Sequence, residues 1–397
     1  MNWIENTDTV KNGLHTVLDD VAPGQVLQYH KIFAQYSPAP LKHLGALARR
    51  FGVADIAVKD ESGRFGLGAF KVLGASYAIG RYLCARLHKD VATVSLDELR
   101  QEKTKAALGE ITFATATDGN HGVGVAWTAR QLGYKAVIFM PEGSTERRLQ
   151  NIARFGAAVS ITDMNYDDTV RHVAALAAKN GWTVVQDTSW EGYEDVPRWI
   201  MQGYSTTAGE VIGELGEDAP THVFLQAGVG AFASVMAATF THAYPKNPPR
   251  IVVVEPDHAD CFYRSMKAGQ KTAVTGKLQT IMAGLACGEP NPIAWDILRQ
   301  CGDMFLSVPD WVAANGMRIL GNPLKGDERI ISGESGAVTA GALFNIMENP
   351  ALAKLKQALG LDEQSRIVLF STEGDTDSVV YRQIVWDGAY PAPTFGN

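Results

Sequence analysis

The stretch from Ile111 to Thr188 constrains this chain more than any other. Short strand-like runs at 111–117, 135–140, 158–162 and 183–188 alternate with amphipathic runs of helical period at 122–132, 145–155 and 167–180. Each helical run stops at a glycine (Gly133, Gly156 or Gly181), the residue that ends helices in left-handed backbone. Strands joined through helices by short connections pair in parallel, with right-handed crossovers. The stretch therefore predicts a compact α/β lobe.

A second series surrounds it. A strand at 55–59 precedes a helix that starts near Lys71. After the lobe come a helix from about Pro197, a strand at 222–227, a glycine turn, a helix from Ala231, and strands at 251–255 and 366–370. Further expectations are a helix over 41–51, after a stiff turn at 37–41, and a surface helix and loop over 89–110. A chain of 397 residues exceeds one minimal core. The fold class is therefore α/β, with two three-layer α/β/α lobes and mostly parallel sheets. The smaller lobe, 76–189, is inserted in the larger, 1–75 and 190–397. The two face each other across a cleft, where open α/β sheets take ligands.

Chemistry concentrates at the turns after strands. In Val58–Ala75, an acidic, glycine-rich turn delivers Lys71 between Phe70 and Val72 at the head of a helix whose face runs Val72, Ala75, Ile79, Leu83. Apolar neighbours and the positive helix end favour a neutral, nucleophilic amine there, although a solvated lysine is the bland alternative. Asp118-Gly-Asn-His-Gly122 lies between a strand and a helix, so Asp118 is either a ligand-facing carboxylate or a helix cap. Asp187, closing the last strand of the small lobe, is a base or a cap. Gly228-Val-Gly-Ala-Phe232 (Gly228, Val229, Gly230, Ala231, Phe232) offers successive N–H groups at a helix start, suited to a phosphate. With Glu255 it also passes for a dinucleotide fingerprint. Ser371 and Thr372 place hydroxyls at the end of the final strand.

Several classes are set aside on charge and composition. A net charge of −7 gives no electrostatic support for nucleic-acid binding. No apolar run approaches a membrane span, and the polar, acidic N-terminal stretch lacks the regions of a signal peptide. Nine histidines and four scattered cysteines show no metal-ligand spacing, so no metal site is expected. The thiols are expected reduced in a cytoplasmic protein, and a Cys261–Cys287 pairing is not favoured.

Together, Gly68-Ala-Phe-Lys71, Asp118-Gly-Asn-His-Gly122, Gly228 to Phe232 and Ser371-Thr372 resemble, in order, the motifs of the fold-type II pyridoxal-phosphate enzymes. The departures from the dehydratase pattern are Asp118 and Ala69, where those enzymes usually carry serine. The segments TDGNHG, MNYDDTV, VQDTSWEGY, AGLACGEPNP and ISGESGAV resemble the branch of ammonia-lyases acting on 2,3-diaminopropionate, from about Tyr36 to Trp386.

That resemblance implies pyridoxal 5′-phosphate as cofactor and α,β-elimination of D- or L-2,3-diaminopropionate to pyruvate and two ammonia. It implies a small amino-acid substrate and a homodimer. Lys71 is the Schiff-base lysine and base for one isomer, Asp118 the base on the opposite face, and Asp187 a binder of substrate amines or a tuner of Asp118. Asn120 holds the cofactor's phenolic oxygen, Gly228 to Phe232 its phosphate, and Ser371 or Thr372 its ring nitrogen. Aspartate, unlike serine, is an ionised base near neutral pH. The alternatives are a serine/threonine dehydratase or D-cysteine desulfhydrase-like enzyme, a nicotinamide (NAD-dependent) oxidoreductase resting on Gly228–Ala233 and Glu255, and a non-catalytic amino-acid-binding module.

Overall fold

Strands covered on both faces need apolar residues at every position, and the central runs HVFLQ and MFLSV are buried throughout. Residues 1–11, 16–22 and 24–393 are described in a computed structural model, which divides into two units. The larger comprises Met1–His15, Ala39–Gly63 and Glu210–Asn397. Its seven-stranded sheet runs in the order β1 (Asn2–Glu5), β10 (Met304–Val308), β9 (Arg250–Pro256), β8 (His222–Gln226), β11 (Arg366–Ser371), β3 (Asp55–Asp60), β2 (Leu41–His43). The inner pairings are parallel and the two edge strands antiparallel. Ile56, Val58, Phe224, Val252, Val254, Leu306, Ile367 and Leu369 of this sheet join Val312, Met317, Val338 and Leu343 of two helices in one core cluster. Those helices, Asp310–Gly321 and Glu334–Glu348, touch backbone to backbone, since a Cβ on Gly341 would lie 1.9 Å from the Val312 carbonyl oxygen.

The smaller unit comprises Thr16–Pro38 and Arg64–Gly209. Its sheet is parallel throughout, in the order β6 (Ala158–Ile161), β5 (Lys135–Met140), β4 (Thr112–Ala116), β7 (Thr183–Val184). Two of the three glycine stops appear as expected, Gly133 and Gly181 being left-handed C-caps of the helices Asn120–Leu132 and Tyr166–Asn180, whereas the helix Glu146–Ala153 ends at Arg154, two residues before Gly156. Thr145 and Asn165 cap the helices that follow them.

The unit boundaries differ from the expected 75/76 and 189/190. The helix Val72–Arg86, with Lys71 at its head, belongs to the smaller unit because it packs on that unit's other helices. A Cβ on Gly124 would lie 3.0 Å from Val72 Cα, and one on Gly203 only 2.4 Å from the Leu73 carbonyl oxygen. Part of the long helix Asp195–Leu215 goes with it. The helix expected over 41–51 begins at Gly45, because Leu41–His43 instead pair as an edge strand with Ala57–Lys59. Strand β7 stops at Val184, short of the expected Thr188. Beyond it, side chains bond the backbone: Tyr193 Oη accepts from Gln186 N–H at 2.9 Å, and Val185 O meets His121 Nε2 at 2.8 Å.

The close crossing at Gly203 yields a direct expectation. Gly203→Ala forces backbone apart beside the Lys71 helix and should destabilise the protein by about 1–3 kcal/mol, read as a lower urea midpoint at unchanged slope.

Candidate active site

Lys71 is presented by a strained turn and a fixed helix. Phe65 (φ 52°) and Gly68 (φ 85°) take left-handed backbone before it, and the helix Val72–Arg86, buried along most of its length, follows. Lys71 Nζ lies 2.5 Å from Asp187 Oδ2, with the side chains 15% and 5% exposed. The aromatic rings of Phe70 and Tyr204 stand 5.6 and 6.0 Å from Nζ. Burial opposes charge on this ammonium, but the adjoining Asp187 carboxylate outweighs it and holds the lysine above its ordinary value. The neutral amine expected from apolar neighbours and the helix dipole is thereby corrected: a carboxylate 116 residues away in sequence decides the charge. Burial raises and Lys71 lowers the Asp187 carboxyl, which ends well below the usual carboxylate range.

The other oxygen of Asp187 is held just as firmly. Tyr166 Oη donates to Oδ1 at 2.9 Å, and Gln186 Nε2 donates to Tyr166 Oη at 2.9 Å and to Oδ1 at 3.3 Å. Gln186 Oε1 in turn accepts from Thr115 Oγ1 and the Ala116 N–H of β4, at 3.0 and 2.9 Å. Asp187 is thus a pre-oriented partner of the lysine and not a helix cap. His121, in the same unit, donates Nε2–H to Val185 O, so its buried Nδ1 carries a lone pair that has no partner among the described residues. Burial lowers its pKa, and the ring is neutral.

The turn after β4 is built on Thr117, whose hydroxyl accepts from the N–H groups of Gly119 and Gly122 at 2.9 and 3.0 Å. Gly119 takes φ 149°, which only glycine adopts readily, and Asn120 opens the helix. Asp118 does not cap that helix. Its Oδ2 instead meets Arg148 Nη1 at 3.3 Å.

In the larger unit, the loop from β8 to the helix Ala231–Ala243 is buried. The N–H groups of Gly228, Val229, Gly230 and Ala231 find no acceptor among the described residues. Four buried N–H groups at a helix start form an anion cradle. Gly230 takes φ 88°, with no room for a Cβ against Phe262 at 2.3 Å, and a Cβ on Gly228 would sit tightly against Gly284 O at 3.1 Å. Nearby in the sheet, Gln226 Nε2 donates to Thr372 Oγ1 at 2.9 Å, leaving the threonine proton to be donated elsewhere. Ser371 is committed to Ser332 Oγ at 2.8 Å.

Glu255 is not available to a ribose. It accepts from the N–H groups of Phe262 and Tyr263 at 2.8 and 2.7 Å, at the start of the helix Cys261–Ala268. Burial pushes its carboxyl up to about 8 against those two bonds. The dinucleotide reading loses its acidic residue here. Cys84, Cys261, Cys287 and Cys301 are all buried thiols. Among the described residues no cluster of His, Cys, Asp and Glu could hold a metal ion.

The smaller unit thus brings Lys71 and Asp187 together and gives Asp118 its own cation. Tyr166, Gln186, His121, Tyr204 and Arg148 were not assigned roles from sequence. Tyr166 and Gln186 lie within the quoted segments MNYDDTV and VQDTSWEGY, yet nothing local says that they bond one another.

Among known proteins, the family model described as pyridoxal-phosphate dependent enzyme matches residues 32–373. Diaminopropionate ammonia-lyase of Escherichia coli (strain K12) is 52% identical over 366 residues, which cover 91% of each chain. The crystal structure of selenomethionine-labelled holo diaminopropionate ammonia lyase from Escherichia coli is similar with a TM-score of 0.92 at 48% identity, covering 99% of this chain and 98% of that one. A further structure, of that bacterium's diaminopropionate ammonia lyase in complex with an aminoacrylate-PLP azomethine reaction intermediate, is similar with a TM-score of 0.90 at 48% identity, covering 98% and 97%.

The lysine–aspartate pair carries a pH signature. The depressed carboxyl adds stability that is complete above its unfolded value near 4 and is lost as pH falls further; the raised ammonium adds stability complete below about 10 and lost above it. Asp187→Asn should therefore lower the urea midpoint of the ligand-free chain at pH 7, by about 3–5 kcal/mol in stability. The two proteins should start to converge as pH falls below about 4 and meet only in strong acid, below the depressed carboxyl of the folded state, where Asp187 itself becomes neutral.

Proposed function

The chain belongs to the pyridoxal-phosphate dependent enzyme family, and on that premise we propose that it is a carbon–nitrogen lyase cleaving 2,3-diaminopropionate to pyruvate and two ammonia. The observation that carries this is the identity of 52% across 91% of the chain with an enzyme of that activity. Asp118 adds a carboxylate after β4, where the dehydratases usually have serine. Elimination of an amine needs a base and a proton donor more than elimination of water does.

The residues present fit the cofactor. The buried N–H groups of Gly228 to Ala231, without an acceptor of their own, would take its phosphate. Lys71 would carry it, Asn120 would meet its phenolic oxygen and Thr372 its ring nitrogen. Of the two hydroxyls considered, Thr372 is the one with a proton still to give, because Ser371 is bonded to Ser332. When bound, pyridoxal phosphate supplies the electron sink that acidifies the substrate's α-carbon.

The chain's own residues handle protons and orientation. Lys71 Nζ takes the α-proton of one isomer. Asp118 takes that of the other, using the oxygen that Arg148 leaves open. Asp187 keeps the ammonium proton at Nζ, from which a departing β-amine would draw it. Its bonds from Tyr166 and Gln186 stop it turning away. Aminoacrylate, once released, takes up water to give pyruvate and the second ammonia. We place the enzyme in the cytoplasm as a homodimer. The buried thiols support the compartment and the family resemblance the assembly. Among the described residues no helix is long and apolar enough to cross a membrane.

An absorbance spectrum followed by addition of D- and L-2,3-diaminopropionate tests this. A visible band that Lys71→Ala abolishes, with pyruvate formed, is the expected result; a band without pyruvate would point to another β-elimination. Asp118→Asn should lower turnover of one isomer by about 100- to 10,000-fold, the range of general-base catalysis. Unchanged turnover of the D-isomer would remove Asp118 as its base.

A further inference from the structure

Arg148 moves no proton in the reaction, yet its placement is costly. It is 7% exposed and lies in the first turn of the helix Glu146–Ala153, where the helix dipole disfavours a cation and burial adds a desolvation penalty. Nη1 lies 3.3 Å from Asp118 Oδ2 and 3.5 Å from the main-chain oxygen of the same residue, at the long end for a hydrogen bond. Its aliphatic stem crosses Gly119, where a Cβ would stand 3.6 Å from Arg148 Cβ and Cδ. One guanidinium nitrogen thus engages both the side chain and the backbone of Asp118, beside the glycine whose φ sets the turn.

The contact is one-sided. Arg148 engages Oδ2, while Oδ1 of Asp118, on a side chain 15% exposed, has no hydrogen-bond partner among the described residues. A bidentate fork would have occupied both oxygens. Here one oxygen is anchored and the other is left as an acceptor. Arginine also stays charged throughout the working range, so it orients the carboxylate without competing as an acid or base.

We infer that Arg148 is the positioning residue of Asp118, setting the aim of its open oxygen and so the turnover of one isomer, the D-isomer, selectively. The inference rests on the reading of Asp118 as the base for that isomer. Lys71, the base for the L-isomer, is held by Asp187 at 2.5 Å, so turnover of that isomer should depend far less on the aim of Asp118.

The test combines kinetics of the holoenzyme with stability of the cofactor-free chain. Arg148→Met should lower kcat for D-2,3-diaminopropionate on the order of 10- to 100-fold, the scale for a misaimed catalytic group, with KM and the L-isomer changing less than about threefold. Arg148→Lys keeps the charge but not the planar reach and should lie between Met and wild type. In urea unfolding of the cofactor-free chain, Arg148→Met should cost less when Asp118 is already Asn, since the two then no longer interact. Equal losses for both isomers, or additive effects in unfolding, would reduce Arg148 to a structural residue and overturn the inference. So would full D-turnover in Arg148→Met alongside a dead Asp118→Asn, an outcome that leaves the role of Asp118 standing. If Asp118→Asn itself turns over the D-isomer normally, the underlying reading fails instead, and the inference with it.

Discussion

A largely buried lysine and a buried aspartate, 2.5 Å apart, are the interaction on which the rest of the smaller unit depends. Each would be costly alone, and each is tolerated because of the other. The requirement extends outward. Asp187 has a second oxygen to satisfy, so Tyr166 and Gln186 converge on it, and Gln186 ties the group to β4. Lys71 needs a rigid platform, so the helix behind it packs glycine-close against two others at Gly124 and Gly203. Polar satisfaction and backbone proximity thus fix one ammonium from two sides.

The two carboxylates are kept apart in role by their counter-ions. Asp187 faces a titratable amine and Asp118 a permanently charged guanidinium. A lysine partner lets a proton move, while an arginine partner lets only geometry be set. One residue type is thus placed in two chemically distinct environments within the same unit.

Legibility in the sequence followed the range of the forces. The strand Lys135–Met140 matches its apolar run to the residue, because alternating burial and glycine stops are local signals. Edge strands Asn2–Glu5 and Leu41–His43 were not read, since their pairing partners lie at 304–307 and 57–59. The strand Met304–Val308 and the helices from Pro292 to Val385 carry apolar composition without a local signal strong enough to predict them. The glycine loop at 228–230 was recognisable as an anion cradle, but its competing dinucleotide reading fell only when Glu255 was seen to bond Phe262 and Tyr263.

The order of motifs, the parallel α/β lobes and the positions of Lys71, Asp118, Asp187 and the glycine loop at 228–230 at strand ends were all present in the sequence, because each is a matter of residue type and short spacing. The charge on Lys71, the partner of each carboxylate and the hydroxyl left free at Thr372 were decided by tertiary structure alone. Those depend on electrostatics and hydrogen bonds between residues that are 30, 116 and 146 positions apart in the chain. Coulomb energy falls with distance in space and is blind to distance in sequence.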